Sequence, residues 1–458
     1  MSPDFTGKRV HVIGLGSWGT GRAVARALWR RGAEVTVSDI KPAEALAQEI
    51  EALADTGVTV LTGEQAYRGI EEAELVVPSP GVPLGIPPLL RARERGAEVV
   101  SEIEVAYWLT KCPIIAVTGT KGKTTTAALI GELLNDGGKR ALVGGNIGRP
   151  LIELAEAAEA GDILVAEVSS FQLEAIESFR PRVALLLNLR PDHLDRHESM
   201  AAYREAKARV FANQEAGDAA IINRDDREAW GLRKRTRAEV RPYSLSGEAE
   251  GADVSEGWLR VGGERICPAS AMRLRGRHNL GNALAALAAA RAAGASLASA
   301  AETLARFPGV EHRLEAVGTV GGVLYVNDSQ ATTPEAAAAG LEAFEERVVL
   351  IAGGRPKVHD FGALAEAVTA RGASLIVMGE AAEEIEEAAR EAGAQDVTRA
   401  RDLREAVQLA AARARPGEAV LMSPACASFD MFANMAERGQ RFKDLVAELR
   451  GRGRSEER

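Results

Sequence analysis

Short apolar runs alternate with stretches of helical periodicity along nearly the whole chain. Residues 9–13, 34–38, 75–77 and 98–100 read as buried strands, with helices at 21–31, 43–54 and 89–95 between them. Such alternation builds a parallel sheet. The pattern resumes with strands at 114–118, 163–168, 183–188 and 219–223, and closes on an alanine-rich run, 282–305, that reads as packed helices. Within this stretch, 251–268 carries Gly-Trp, Val-Gly-Gly and alternating residues, the mark of a small antiparallel excursion. The last part alternates again, with strands at 323–327, 348–352, 374–378 and 419–423 and helices at 334–344, 361–371, 380–392, 403–414 and 435–449. The charged tail, 451–458, is expected to fray. The expected fold is α/β with three domains. A Rossmann-like N-terminal domain spans 1–103, a central P-loop-type ATPase domain with a parallel sheet spans 104–308, and a C-terminal Rossmann-like domain spans 309–458.

Composition narrows the class. The chain has 458 residues, a formal net charge of -9, 46% hydrophobic and 26% charged residues. These are the proportions of a globular protein, and the negative balance argues against a nucleic-acid binder. Cys112, Cys267 and Cys426 are too scattered for a zinc site or disulfide framework, which points to a reducing, cytoplasmic setting. No apolar run suggests membrane insertion. Ten lysines stand against 46 arginines, so each lysine is a better candidate for work arginine cannot do, such as losing its proton.

The strongest chemical signal is Val117-Thr118-Gly119-Thr120-Lys121-Gly122-Lys123-Thr124-Thr125-Thr126, directly after an apolar strand. Gly119 and Gly122 let successive N–H groups turn toward one anion, and the helix that follows adds its positive end. Lys123 can neutralise outer phosphates and the Thr124 hydroxyl can ligate Mg²⁺. The glycine spacing is two residues shorter than in the standard phosphate loop. ATP is the expected nucleotide.

Other strand ends carry polar residues. Gly14-Leu15-Gly16-Ser17-Trp18-Gly19, with Asp39 at the end of the next strand, matches a dinucleotide fingerprint, and Gly81 lies in a rigid Pro-rich loop. Glu167 can reach the metal of Thr124, or can instead satisfy N–H groups at a helix start. In 188–197, His193 can ligate a second metal or touch substrate, or be a satisfied histidine; His197 reads as a surface or packing histidine. Lys207, on a helix over 199–213, reads from sequence alone as an exposed lysine. Arg313 and Asp328 can meet a nucleotide by charge to phosphate and carboxylate to ribose. The segments 353–357 and 423–430 can hold a small carboxylate, with Cys426 as packing.

In this order, these segments resemble the Mur ligase family of cell-wall synthesis over essentially the whole chain. Ser169-Ser170-Phe171-Gln172-Leu173-Glu174, Asp192-His193-Leu194-Asp195-Arg196-His197 and Ser423-Pro424-Ala425-Cys426-Ala427-Ser428 are similar to its D-glutamate-adding members. The resemblance implies an ATP-dependent amide-bond ligase joining D-glutamate to UDP-N-acetylmuramoyl-L-alanine through an acyl phosphate. It implies ATP at Gly119, Thr120, Lys121, Gly122, Lys123, Thr124 and Thr125, with Asn279, Asn282, Arg313 and Asp328 on the nucleotide. Two Mg²⁺ sites are implied, one at Thr124 and Glu167 and one at His193 and a carbamylated Lys207. Lys123, Glu167, His193 and Lys207 form the implied catalytic set. Gly14, Ser17, Trp18, Asp39, Gly81, Asn146 and His193 are implied for the UDP-substrate, and Thr332, Lys357, Ser428 and Phe429 for D-glutamate. A monomer is expected.

Gln330 stands where the family usually has lysine, Met435 where it has an aromatic, Arg190 where it has a small polar residue, and Ser17-Trp18 depart in the expected uracil loop. Three other readings compete: a ligase for a different amino acid, a non-catalytic nucleotide-sugar binder, and an NAD-dependent enzyme motivated by Gly14–Gly19.

Overall fold

The computed structural model describes residues 3–15, 19–146, 148–274 and 276–456. Its chain falls into two compact units. One holds Met1–Met272 and His278–Arg306, the other Arg273–Arg277 and Phe307–Arg458.

The first unit contains two sheets. Its N-terminal sheet has five parallel strands in the order Thr59–Thr62, Glu34–Asp39, Arg9–Ile13, Leu75–Pro78, Glu98–Val99. The order reverses direction at Arg9–Ile13, and a crevice opens at the carboxyl ends of strands at such a point. The second sheet has nine strands. Its parallel core places Ile114–Thr118 between Ile163–Glu167 and Val183–Leu186, so the ends of these three strands converge. All three are buried along their length, as strands covered on both faces are. The excursion is present as Ala252–Ser255, Trp258–Val261 and Glu264–Pro268, an antiparallel meander.

The alanine-rich run forms the helices Arg277–Ala292 and Ala300–Arg306. In the first of these, every residue from Gly281 to Ala290 is buried. Alanine walls let this helix lie close to its neighbours, at low propensity cost.

The second unit has a six-stranded sheet in the order Glu315–Val320, Val323–Asn327, Ala419–Met422, Val348–Gly353, Ser374–Met378, Val397–Arg399. It is parallel except for Glu315–Val320. Two expectations are corrected. The helix expected over 43–54 is a 3₁₀ turn, Ala43–Leu46, followed by a short helix, Ala47–Glu51. The last helix, expected over 435–449, runs on into the charged tail and spans Met435–Glu456; the added residues include Gly451 and Gly453 but no Pro that would stop it. Among the described residues no helix is long and apolar enough to cross a membrane.

Candidate active site

The phosphate loop joins Ile114–Thr118 to the helix Lys123–Asp136. Gly122 caps that helix in the left-handed region, φ 87°, and a Cβ there would collide with Asn282 Oδ1. The position therefore tolerates only glycine. Asn188 clamps the loop from the neighbouring strand end: its Oδ1 accepts from Lys121 N at 2.8 Å and its Nδ2 donates to Lys121 O at 2.9 Å. Lys123 folds back, with Nζ donating to Gly119 O at 3.0 Å and Thr120 O at 2.9 Å. That places a cation over the loop where an anion would enter.

The next strand end supplies the carboxylate. Thr124 Oγ1 donates to Glu167 Oε2 at 2.8 Å, and Asn146 Nδ2 donates to Glu167 Oε1 at 3.1 Å. Thr124 and Glu167 are buried. The competing idea that Glu167 serves a helix start is overtaken, because Ser169 caps the helix Ser170–Glu174 by a capping box with Gln172. Two hard oxygens thus meet beside the phosphate loop, the donor type that suits Mg²⁺.

Lys207 is not an exposed lysine. It is buried on the helix Met200–Ala208. Its Nζ lies 4.9 Å from the Tyr203 ring centroid and 3.4 Å from Thr118 Oγ1. Burial, then the Lys123 charge, push its ammonium down to about 7, against the pull of Asp192 and Glu167. An amine so placed is largely neutral in mild alkali. His193 caps the short helix Leu194–His197 in a left-handed conformation, φ 53°, a strain that functional positions often carry. Its Nε2 is 3.8 Å from Asp192 Oδ2 and its ring is 5.0 Å from Phe171. Asp192 therefore borders both His193 and Lys207. Of the two readings of His197, packing holds and surface does not: it is buried, stacks on Phe171 and meets Ser170 Oγ at 2.9 Å.

Asn279 and Asn282 are buried at the start of the alanine-walled helix, with Asn282 Nδ2 donating to Asn279 Oδ1 at 3.1 Å and Asn282 against Gly122. Thr120 and Thr125 are also buried. Tyr203 was missed by sequence reasoning. Its hydroxyl lies 3.0 Å from Thr120 Oγ1 while its ring lies under Lys207; the spacing of four residues from Lys207 on one helix was the available signal.

At the N-terminal sheet, Asp39 is buried and accepts from Leu15 N at 3.1 Å and Lys41 N at 3.0 Å, so it shapes the Gly14 loop. Gly21 presses on this loop so closely that a Cβ would collide with Gly14 O. Gly81 is exposed. Ser17 and Trp18 lie outside the described residues.

The second unit gathers its own set. Asp328 is buried, accepts from Ser423 Oγ at 2.7 Å and Leu314 N at 3.1 Å, and is raised by burial to about 6, with Arg313 opposing. Lys357 Nζ donates to Thr332 Oγ1 at 2.9 Å; burial and then the Arg438 charge lower its pKa. Arg438, also missed, is wholly buried and donates to Ser329 Oγ at 3.0 Å and to the Ser329 and Cys426 carbonyls at 3.0 and 3.1 Å. Ser428 is buried and Phe429 is exposed. Burial pushes the Cys426 thiol up to about 12, which suits packing. Gln330 donates through Nε2 to Glu311 O at 3.3 Å, bracing the turn before Arg313. Arg190 pairs with Asp226 at 2.9 Å, and Met435 accepts from Ser329 Oγ through its carbonyl at 2.7 Å.

Parallel sheets with a phosphate loop at a convergence of strand ends define an α/β enzyme of the nucleotide-using kind. Three family models match in series: "Mur ligase MurD-like, N-terminal domain" over 8–101, "Mur ligase middle domain" over 117–290, and "Mur ligase, glutamate ligase domain" over 312–426. The chain belongs to the Mur ligase family, whose members are ATP-dependent ligases that need Mg²⁺. It is 48% identical to the UDP-N-acetylmuramoylalanine--D-glutamate ligase of Pelotomaculum thermopropionicum, over 98% of this chain and 100% of that one. It is 44% identical to the ligase of the same name from Geobacter metallireducens, over 97% and 98%. Among solved structures, UDP-N-acetylmuramate-alanine ligase MurC from Thermotoga maritima shares the fold with a TM-score of 0.60 at 21% identity, over 96% of this chain and 99% of that one.

Proposed function

We propose that the chain is an ATP-dependent ligase that adds D-glutamate to UDP-N-acetylmuramoyl-L-alanine in peptidoglycan precursor synthesis. It acts in the cytoplasm as a monomer, with domain boundaries after residues 103 and 308. The observation that carries this reading is the Thr124–Glu167 pair at 2.8 Å beside the phosphate loop. The names of the two relatives supply the substrates.

The donor set fits Mg²⁺: Thr124 and Glu167 would hold one ion, and His193 and Lys207, as its carbamate, a second. When bound, these ions offset negative charge on the transferring phosphoryl group. The chain's own groups do the rest. Loop amides at 119–125 and the helix N-terminus hold the phosphates, and Lys123 moves from the loop carbonyls onto them. Asn279, Asn282, Arg313 and Asp328 hold the nucleoside side. Gly14, Ser17, Trp18, Asp39, Gly81, Asn146 and His193 serve the UDP-substrate, and Thr332, Lys357, Ser428 and Phe429 serve D-glutamate.

The alanyl carboxylate oxygen attacks the γ-phosphorus and ADP leaves. The D-glutamate amine then attacks the acyl carbon, phosphate leaves, and the nitrogen gives up a proton as the amide forms. The test is phosphate release from ATP with UDP-N-acetylmuramoyl-L-alanine and Mg²⁺, adding D-glutamate, L-glutamate, L-lysine or meso-diaminopimelate separately. Release with D-glutamate alone, with the amide seen by mass, is the expected result. Release with none of them overturns the reading.

A further inference from the structure

Glu102 belongs to the helix Glu102–Leu109, which follows the last strand of the N-terminal sheet, yet its carboxylate is spent on two helices that follow strands of the central sheet, Leu151–Ala157 and Ser170–Glu174. It is buried, its Oε1 accepts from Ile152 N at 2.9 Å, and its Oε2 accepts from Gln172 Nε2 at 3.4 Å. Each contact leads to the Glu167 neighbourhood.

The Gln172 side chain can face only one way. Its Oε1 accepts from Ser169 N at 2.9 Å, and a backbone N–H can only donate. The amide NH₂ must therefore face Glu102. Ser169 lies two residues beyond Glu167 and is fixed by this bond. The second route runs through Ile152, in the first turn of the helix Leu151–Ala157. That helix closes the segment bearing Asn146, in which Gly145 N donates to Arg149 O at 2.8 Å and Asn146 N to Glu167 O at 2.9 Å. Asn146 Nδ2 grips the Glu167 carboxylate itself.

We propose that Glu102 is a positioning residue for the ligase reaction: its ionised carboxylate fixes the Gln172 amide and the first turn of the helix Leu151–Ala157, and so holds Glu167 in place. Both Glu102 oxygens face N–H donors, so a protonated or amide side chain there sets donor against donor. Gln172 must then flip and release Ser169, or stand unpaired.

The groups that meet Glu102 are the Leu151 and Ile152 amides and Gln172. Charged side chains on the same elements turn elsewhere. Glu153 pairs with Arg149 and Glu156 with Arg31. Glu174 meets Arg196 and His197, and Glu104 accepts from the 177–179 amides. Burial raises Glu102 to about 7, which makes the arrangement sensitive to pH near neutrality.

The test uses the whole chain. The kinetic arm rests on the ligase reading; the exchange arm does not. With D-glutamate at pH 8, Glu102→Gln is expected to lower kcat about tenfold with KM for ATP within twofold of the parent. The swap Glu102→Gln with Gln172→Glu restores a donor facing an acceptor, and the carboxylate it introduces still accepts from Ser169 N, so kcat is expected to recover to within about threefold. An E102Q enzyme indistinguishable from the parent overturns the proposal, as does a folded swap no faster than E102Q. Hydrogen exchange by mass spectrometry on the unmodified protein stands even where a variant fails to fold. After correction for intrinsic rates, amides of 169–174 and 151–153 are expected to lose protection as pH falls from 8 to 6. Protection unchanged down to about pH 4, below the ordinary carboxyl range, overturns the proposal whatever the substrate proves to be.

Discussion

Single residues at the site each carry a measurable consequence. Lys207 has its folded pKa pulled below the ordinary lysine value, to about 7. Its amine is therefore charged below that pH and free to take up CO₂ above it. With ¹³C-bicarbonate, a carbamate carbon signal is expected to grow between pH 6 and 8.5 and to be missing in Lys207→Arg; a signal flat with pH would count against the role given to this lysine. Glu167→Gln keeps the shape of the Thr124 contact but removes the charge that would hold Mg²⁺. Activity is expected to fall about a hundredfold or more at saturating Mg²⁺, read by phosphate release. Gly122→Ala places a methyl against Asn282 at φ 87°, so ATP binding measured by calorimetry should be lost, with stability reduced by about 1–3 kcal/mol.

The legibility of the site follows from what each residue does. Lys123, Thr124 and Glu167 were readable because they follow buried strands in a short, glycine-turned order. Burial of Lys207 was not readable, since a helix lysine four residues from a tyrosine carries no sign of which face turns inward. The pairing of Glu102 with Gln172 was invisible for a related reason: the two meet across 70 residues of chain, and no local period records such a contact.

At the level of elements, strands buried on both faces were found nearly to the residue, as with 114–118 and 374–378. The strands that escaped were edges or half-exposed ones. Thr59–Thr62 has no fully buried position, and Ala141–Gly145 has a single one, so neither shows an apolar run. One helix carries an unusual duty. Glu104 accepts from Glu177 N, Ser178 N and Phe179 N at 2.8, 2.8 and 2.9 Å, and from the Ser178 hydroxyl. Removing it strands the buried Phe179 N–H and the part-buried Glu177 and Ser178 N–H groups. Glu104→Ala is expected to lower the urea midpoint by an amount worth about 3–5 kcal/mol, whereas an exposed neighbour such as Glu94 should register little change on the same substitution.

Across the molecule, buried acids and the buried lysine set opposing responses to pH. Glu102 and Asp328 have folded pKa values raised to about 7 and about 6. Each therefore lends stability at acid pH that disappears as pH climbs through those values. Lys207 runs the other way, with stability gained between about 7 and its unfolded value of 10.5. Glu102→Gln isolates the first of these. Relative to the parent, the variant is expected to gain roughly 2–3 kcal/mol between pH 5 and pH 8 in paired denaturation curves. A constant gap would mean that the carboxyl titrates near its ordinary value.

The alanine-walled helix Arg277–Ala292 constrains how this chain can vary. Leucine or phenylalanine in a core can be trimmed or exchanged, so drift proceeds in both directions of size. A wall already built of the smallest side chain leaves only enlargement, and enlargement pushes a rigid rod away from whatever it touches. Asn279 and Asn282 hang from one end of that rod, and Asn282 rests on the phosphate loop. A saturation library should therefore show the alanines of 283–290, as distinct from Leu284 and Leu287 between them, as positions intolerant of bulk, with lost nucleotide affinity as the first symptom and lost folding as the second. History would then act on this helix as a ratchet with one tooth: glycine and serine tolerated, everything larger refused.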